Sequence, residues 1–200
     1  MGKHNCWSYG PSDSEVNLTP RHTAFASLTG RSILAALLLA ACIPPAHADA
    51  VNVSVGNAQG IALSSVFLQL DRHAPIHRYR SWILTGHVDL GIAEFQGNRG
   101  SHAKTRAFGV IGKLRWERAS SPLFVESGLG MAGFSNNLLG GERRLGGNFS
   151  FVEVLRSGLR LGSHKQLEIA IYAEHCSNAG LWSVNEGSTS PGVSIAWYFR

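Results

Sequence analysis

The most reactive stretch of the chain is the run Glu174-His175-Cys176-Ser177-Asn178, near its carboxyl end. His175 and Ser177 are two positions apart, so on a β-strand both side chains point to one face. A serine hydroxyl becomes a nucleophile when a neighbouring imidazole accepts its proton. The spacing therefore fits a nucleophile and a general base for acyl transfer. The same spacing often arises by chance, and a structural histidine beside a strand-end hydroxyl is the more frequent explanation.

The residues that follow Ser177 could hold the negative charge that develops during acyl transfer. The stretch from Asn178 to Gly180 reads as a turn, whose backbone N–H groups can bind an oxyanion. The side-chain amides of Asn178 and Asn185 are further donors. Cys176 lies between the pair and by parity faces the other side of the strand, which predicts packing rather than catalysis.

The amino-terminal part of the chain reads as a leader. Residues 32–43 form an uncharged apolar run that follows two arginines and precedes Ala46-His47-Ala48. These parts predict a secretory signal peptide over residues 1–48 and a mature domain over 49–200. The run is too short for a transmembrane helix, which needs about 20 residues. Cys42 follows Leu-Ala-Ala, which leaves lipoprotein processing as an alternative, and the long stretch before the arginines leaves the true translation start open.

The mature segment alternates apolar and polar residues in the manner of β-strands. Eight such segments, separated by clusters of Gly, Asn, Ser and Pro, cover residues 51–55, 63–70, 82–95, 105–116, 122–134, 149–161, 167–177 and 193–199. Several have the length of about 9–11 residues that a strand needs to cross a membrane. The pattern predicts an all-β fold, an eight-stranded antiparallel transmembrane β-barrel.

The composition of the two strand faces indicates which face meets lipid. In segment 167–177, Ile169 and Ile171 share one face, whereas Glu168 and Tyr172 share the other. Small and polar residues suit the interior of a narrow barrel, and apolar residues suit its outer surface in lipid. A soluble barrel with its apolar face inward and a lipophilic ligand inside is the alternative. Because side chains fill an eight-stranded bore, function is expected at a rim or on the outer wall.

Composition and charge exclude several functional classes. The chain is 44% hydrophobic and 16% charged, which is too apolar for a disordered protein. Its formal net charge of +5 is scattered without a basic run, so nucleic-acid binding is not expected. His73, His77 and His87 lack the spacing of zinc ligands, and no glycine-rich phosphate loop precedes a helix. Neither a metal nor another cofactor is therefore expected.

The motif at residues 175–187, H-x-S-N-A-G-L followed by Asn185 and a glycine, resembles that of the PagL-type lipid A deacylases. Those proteins are small eight-stranded outer-membrane barrels that remove the 3-O-linked acyl chain of lipid A. The resemblance implies a nucleophile at Ser177, a base at His175, oxyanion assistance around Asn178 to Gly180, and an oxyanion or structural role for Asn185. It also implies an ester hydrolase in the outer membrane of a Gram-negative cell, with the lipid A of lipopolysaccharide as its partner. The motif covers only the last quarter of the chain.

The chain departs from the family pattern at the catalytic acid. The family carries a Glu two residues after the second glycine of the motif, where this chain has Thr189. The closest carboxylate is that of Glu186, and Glu174 faces inward by parity. We therefore expect His175, Ser177 and Glu186 to form the catalytic set, with a Ser-His dyad as the alternative.

The missing acid keeps a second functional class in view. A non-enzymatic outer-membrane barrel, used for adhesion or structure, would carry the motif by accident or after decay. The sequence also leaves open the acyl position that is cut and whether the protein forms a homodimer. The run Glu142-Arg143-Arg144, in a Gly-rich stretch, is interpreted as a solvated loop that could also touch lipid A phosphates.

Overall fold

The computed structural model describes residues 48–97 and 103–199. Its strands, in chain order, are β1 (Ala50–Ala58), β2 (Ile61–Asp71), β3 (His77–Tyr79), β4 (Trp82–Gly97), β5 (Lys104–Arg118), β6 (Leu123–Phe134), β7 (Leu138–Leu139), β8 (Arg143–Arg144), β9 (Phe149–Leu161), β10 (Leu167–Ser177) and β11 (Ser188–Tyr198). No helix able to cross a membrane occurs in the part of the chain that the structure describes. The predicted signal peptide lies outside the described residues except for Ala48, so its boundary stays a prediction.

The eight long strands pair antiparallel in one closed ring. Around the barrel the order is β2, β1, β11, β10, β9, β6, β5 and β4, and β4 pairs back to β2. The short β3 extends the ladder beside β4, and β7 and β8 form a separate hairpin. Closure leaves no open sheet edge, which matters because lipid offers no hydrogen-bond partner to a backbone N–H or C=O. The predicted eight-stranded antiparallel barrel is confirmed.

The last strand begins earlier than the sequence pattern predicts. It starts at Ser188 rather than at residue 193, because the polar residues before Val193 also join the ladder. Thr189 pairs with His175 and Ser188 pairs with Cys176. A polar run of this kind cannot be recognised as a strand from the sequence, because it lacks apolar alternation. It becomes a strand by pairing with its neighbour in the sheet.

The apolar faces of the strands point outward, as predicted. The side chain of Ile171 is 68% exposed and that of Leu129 is 63% exposed, whereas Glu168 and Tyr172 on the opposite face are buried. Trp82, Trp116 and Trp197, which lie near strand ends, are exposed as well. The soluble alternative is wrong, because it requires these apolar side chains inside the barrel.

Ion pairs fill part of the bore. The Arg115 guanidinium lies 2.7 Å from a Glu126 oxygen and 2.6 Å from a Glu168 oxygen. The Lys113 ammonium lies 2.7 Å from Asp89. These side chains are buried, so each charge depends on its partners instead of water. These ion pairs lie inside the barrel, apart from the candidate site residues on the outer wall.

Replacing Glu126 with Gln should destabilise the barrel by about 3–5 kcal/mol, because it leaves buried cations without their counter-charge. Lys113 and Arg115 both lie within 3.3 Å of the Glu126 carboxylate. Urea unfolding of the refolded protein in detergent micelles, followed by tryptophan fluorescence, measures the change. Glu94→Gln is the matched control, because Glu94 pairs with Lys104 at an exposed rim and should cost about 0–1 kcal/mol. Equal losses in the two variants would contradict this role for Glu126.

Candidate active site

His175 and Ser177 lie near one end of β10. This end of the barrel carries the connections at residues 135–148 and 178–187, opposite the end where β1 begins and β11 ends, and we call it the distal rim. Both side chains are half-buried and lie on the same outward face as Ile171. The structure therefore places an imidazole and a hydroxyl together where the outer wall meets the rim.

The imidazole of His175 has a hydroxyl partner across the ladder. Its Nδ1 lies 2.8 Å from the Thr189 Oγ1 on β11. When Nδ1 carries the proton, it donates to that hydroxyl and leaves Nε2 as the basic nitrogen. Thr189 thus occupies the place where the sequence pattern expects an acid, and it supplies a hydrogen-bond partner without a negative charge.

Gly187 packs against the edge of the imidazole ring. A Cβ added at Gly187 would lie 3.3 Å from the His175 Cε1 and 3.7 Å from its Nε2. The residue also has a φ of +56°, in the left-handed region that favours glycine. The backbone of Gly187 therefore limits where the ring of His175 can lie.

Asn178 holds the loop after Ser177 together. Its buried side-chain amide donates to the carbonyls of Leu145 and Val184 at 2.8 and 2.7 Å, and its Oδ1 accepts from the Gly180 N–H at 2.8 Å. The Asn178 N–H in turn donates to the Asn185 Oδ1 at 3.1 Å. The three residues expected to bind an oxyanion are thus brought together, in a network that already uses the backbone N–H groups of Asn178 and Gly180 and the side-chain NH2 of Asn178.

Glu186 contacts the β7–β8 hairpin rather than His175. Its Oε2 accepts a hydrogen bond from the Arg144 N–H at 3.0 Å. The Arg143 guanidinium donates to the carbonyl of Gly187 at 2.9 Å. These contacts tie the hairpin to the loop that carries Gly187. Sequence reasoning missed the hairpin, because two-residue strands leave no periodic pattern to recognise.

An open hollow of about 480 Å³ lies on the outer wall beside His175. It is lined by Ser127, Gly128, Leu129, Glu153, Val154, Leu155, Ala173, His175 and Thr189. Small residues on β6 and β10 make room for it. Within the described ranges, no group of three His, Cys, Asp or Glu side chains could hold a metal ion.

Comparison with known proteins identifies the family. The family model described as lipid A 3-O-deacylase (PagL) matches residues 62–198, more than half of the chain. The chain belongs to the PagL family. The lipid A deacylase PagL of Pseudomonas aeruginosa is 30% identical to it over 108 residues, which cover 54% of this chain and 61% of that protein. The alignment thus spans less than two thirds of the curated relative.

A solved PagL structure shows the same fold. The crystal structure of the outer membrane enzyme PagL superposes with a TM-score of 0.66 at 24% identity, over 74% of this chain and 98% of that one. Family membership and the apolar outer wall place the barrel in the outer membrane of a Gram-negative cell.

Replacing Gly187 with Ala should lower enzymatic activity at least several-fold, because the new methyl group strains a left-handed backbone and pushes on the ring of His175. Gly162→Ala is the matched control, since Gly162 has a φ of +88° in a turn at the other end of the barrel. Initial rates of the two folded variants with a purified ester substrate measure the effect. Equal activity in both would show that Gly187 does not position the imidazole.

Proposed function

We propose that this chain is a lipid A deacylase, an ester hydrolase that removes the 3-O-linked acyl chain with Ser177 as nucleophile and His175 as base. The family model is described as a lipid A 3-O-deacylase, and the Pseudomonas aeruginosa relative is named as a lipid A deacylase. The observation that carries the proposal is the position of His175, hydrogen-bonded to Thr189 and two residues before Ser177 on a lipid-facing wall.

The location of the pair suits a substrate that never leaves the membrane. Lipid A presents its acyl esters near the head-group boundary, and His175 and Ser177 lie on the outer wall close to the distal rim. The neighbouring hollow is lined mostly by apolar and small side chains. Apolar surface of this kind can hold an acyl chain without exposing it to water.

The reaction follows the usual order of a serine esterase. The Nε2 of His175 accepts the proton of the Ser177 hydroxyl while the Oγ attacks the ester carbonyl carbon. Collapse of the tetrahedral intermediate breaks the bond to the sugar oxygen, which takes the proton from His175. Nε2 then accepts a proton from a water molecule while the water oxygen attacks the acyl carbon of the acyl-serine. The bond to the Ser177 Oγ breaks, the fatty acid is released, and Nε2 returns the proton to Oγ.

The turn after the nucleophile supplies donors for the oxyanion. The N–H groups of Asn178 and Gly180 point into the loop, where Asn185 Oδ1 and Asn178 Oδ1 accept them. A shift of the Asn185 side chain would free the Asn178 N–H and turn its own amide toward the substrate. An oxyanion donor is typically worth about 3–4 kcal/mol in the transition state when it is already aimed at the oxyanion, and the cost of this shift reduces that contribution.

Expression of the chain in a Gram-negative host should remove one hydroxyacyl chain from lipid A, and Ser177→Ala or His175→Ala should abolish the loss. Mass spectrometry of the extracted lipid A measures it. Ser157→Ala is a control, because the Ser157 hydroxyl lies in the barrel wall and contacts a backbone carbonyl. Unchanged lipid A from folded, membrane-inserted protein would reject the proposal in favour of a non-enzymatic barrel.

Thr189→Val should slow the reaction roughly 10-fold, because it leaves the His175 Nδ1 without its partner at a cost of about 1–3 kcal/mol. Thr189→Ser keeps the hydroxyl and should retain most of the rate.

The expectation that Glu186 is the catalytic acid stays a prediction, and Glu186→Gln tests it in the same assay. The Gln oxygen can still accept from the Arg144 N–H, so a large loss would assign the acid role to Glu186 and a retained rate would reject it.

A further inference from the structure

Glu153 stands beside the imidazole on the outer wall. Strand register pairs His175 with Glu153 on β9 on one side and with Thr189 on β11 on the other. Glu153 pairs in turn with Leu129 on β6. The four residues form one row across the outward face, and all four line the hollow.

A carboxylate is unexpected at this place. Glu153 is exposed on a wall that otherwise meets lipid, where a charged side chain is costly. Its outward neighbours along β9 are Phe151 and Leu155. Among the described residues, no ion pair within 4.0 Å involves Glu153, in contrast to the buried acids of the bore, Glu126 and Glu168. Packing alone therefore gives no reason for an acid at this position.

His175 is the titratable group next to Glu153 on that face. None of the outward residues that flank Leu129, His175 and Thr189 on their own strands carries a charge. They are Ser127 and Met131 on β6, Ala173 and Ser177 on β10, and Gly187 and Pro191 around β11. Directly opposed side chains on one face of an antiparallel pair have Cβ atoms about 4.5–5.5 Å apart. A Glu side chain spans that gap.

Proton transfer from Ser177 to His175 needs a negative charge near the imidazole. When His175 takes the proton of Ser177 it becomes an imidazolium, and a serine esterase normally stabilises that cation with a carboxylate. Thr189 gives Nδ1 a hydrogen-bond partner but has no charge. In the low-dielectric surroundings of a membrane wall, a carboxylate within reach of the ring stabilises a cation far more than it would in water.

We propose that Glu153 is a positioning residue that supplies the counter-charge for the His175 imidazolium, from the β9 side of the ring instead of the β11 side. This inference rests on the proposed function, since it needs an activated Ser177. The counter-charge and the hydrogen bond to Nδ1 then come from two residues, Glu153 and Thr189, on opposite sides of the imidazole.

A fluorophosphonate probe tests the inference without lipid A, because it reports how fast Ser177 is activated. Glu153→Gln should slow labelling of Ser177 about 10- to 100-fold, and Glu153→Asp should recover part of the rate. The double variant Glu153→Gln/Thr189→Glu should label faster than Glu153→Gln alone, because it returns a carboxylate to the other side of the ring. Glu94→Gln, which removes a carboxylate elsewhere near the distal rim, should label at the rate of the unmodified chain.

Several outcomes would overturn the role of Glu153. These are an unchanged labelling rate in folded Glu153→Gln, or a double variant no faster than Glu153→Gln. With a short-chain ester, the loss should appear in kcat with KM nearly unchanged, and a loss confined to KM would instead make Glu153 a substrate contact.

The unmodified chain separates this inference from the proposed substrate. If it labels at Ser177 but leaves lipid A intact, the proposed substrate fails and Glu153 keeps its role. No labelling of the unmodified chain would overturn both.

Discussion

In lipid, every backbone N–H and C=O must find its partner within the protein, and this requirement shapes the whole molecule. The pairing of β4 with β2 closes the ring and removes the last open edge. Within the closed ring, the outward apolar faces and the connecting turns set the register of each strand pair. That register sets Glu153, His175 and Thr189 side by side, so the same constraint that makes the barrel stable in a membrane assembles the residues of the candidate site.

The two surfaces of the wall do different work because the strand period separates them. Inward positions carry charges that neutralise one another around Arg115, and these give the bore its polar filling. Outward positions carry apolar side chains, interrupted at the distal rim by His175, Ser177 and Glu153. A barrel of this size has no room for a substrate inside, so the proposed reaction takes place on the outer face, which meets lipid.

Parity explains what the sequence could predict. Alternation alone was enough for eight long strands and for placing Cys176, which is buried, on the face opposite His175 and Ser177. The outward direction of the apolar faces needed the small and polar composition of the other face as well. Alternation could not give register, and Glu153 became relevant only when β9 was paired with β10. The sequence pattern also missed the start of β11 at Ser188, because the Ser and Thr residues there show no apolar alternation. Contacts of Glu186 with the β7–β8 hairpin depend on a long connection whose path no local pattern determines.

The central claim is that Ser177 is the nucleophile on the lipid-facing wall. The most direct measurement is to treat the folded protein with a lipid-like phosphonate ester that stops turnover, and then to locate the adduct by mass spectrometry of its peptides. One adduct is expected, on the peptide that contains Ser177, and none after His175→Ala. An adduct on another residue, or none in a protein that still removes an acyl chain from lipid A, would contradict it.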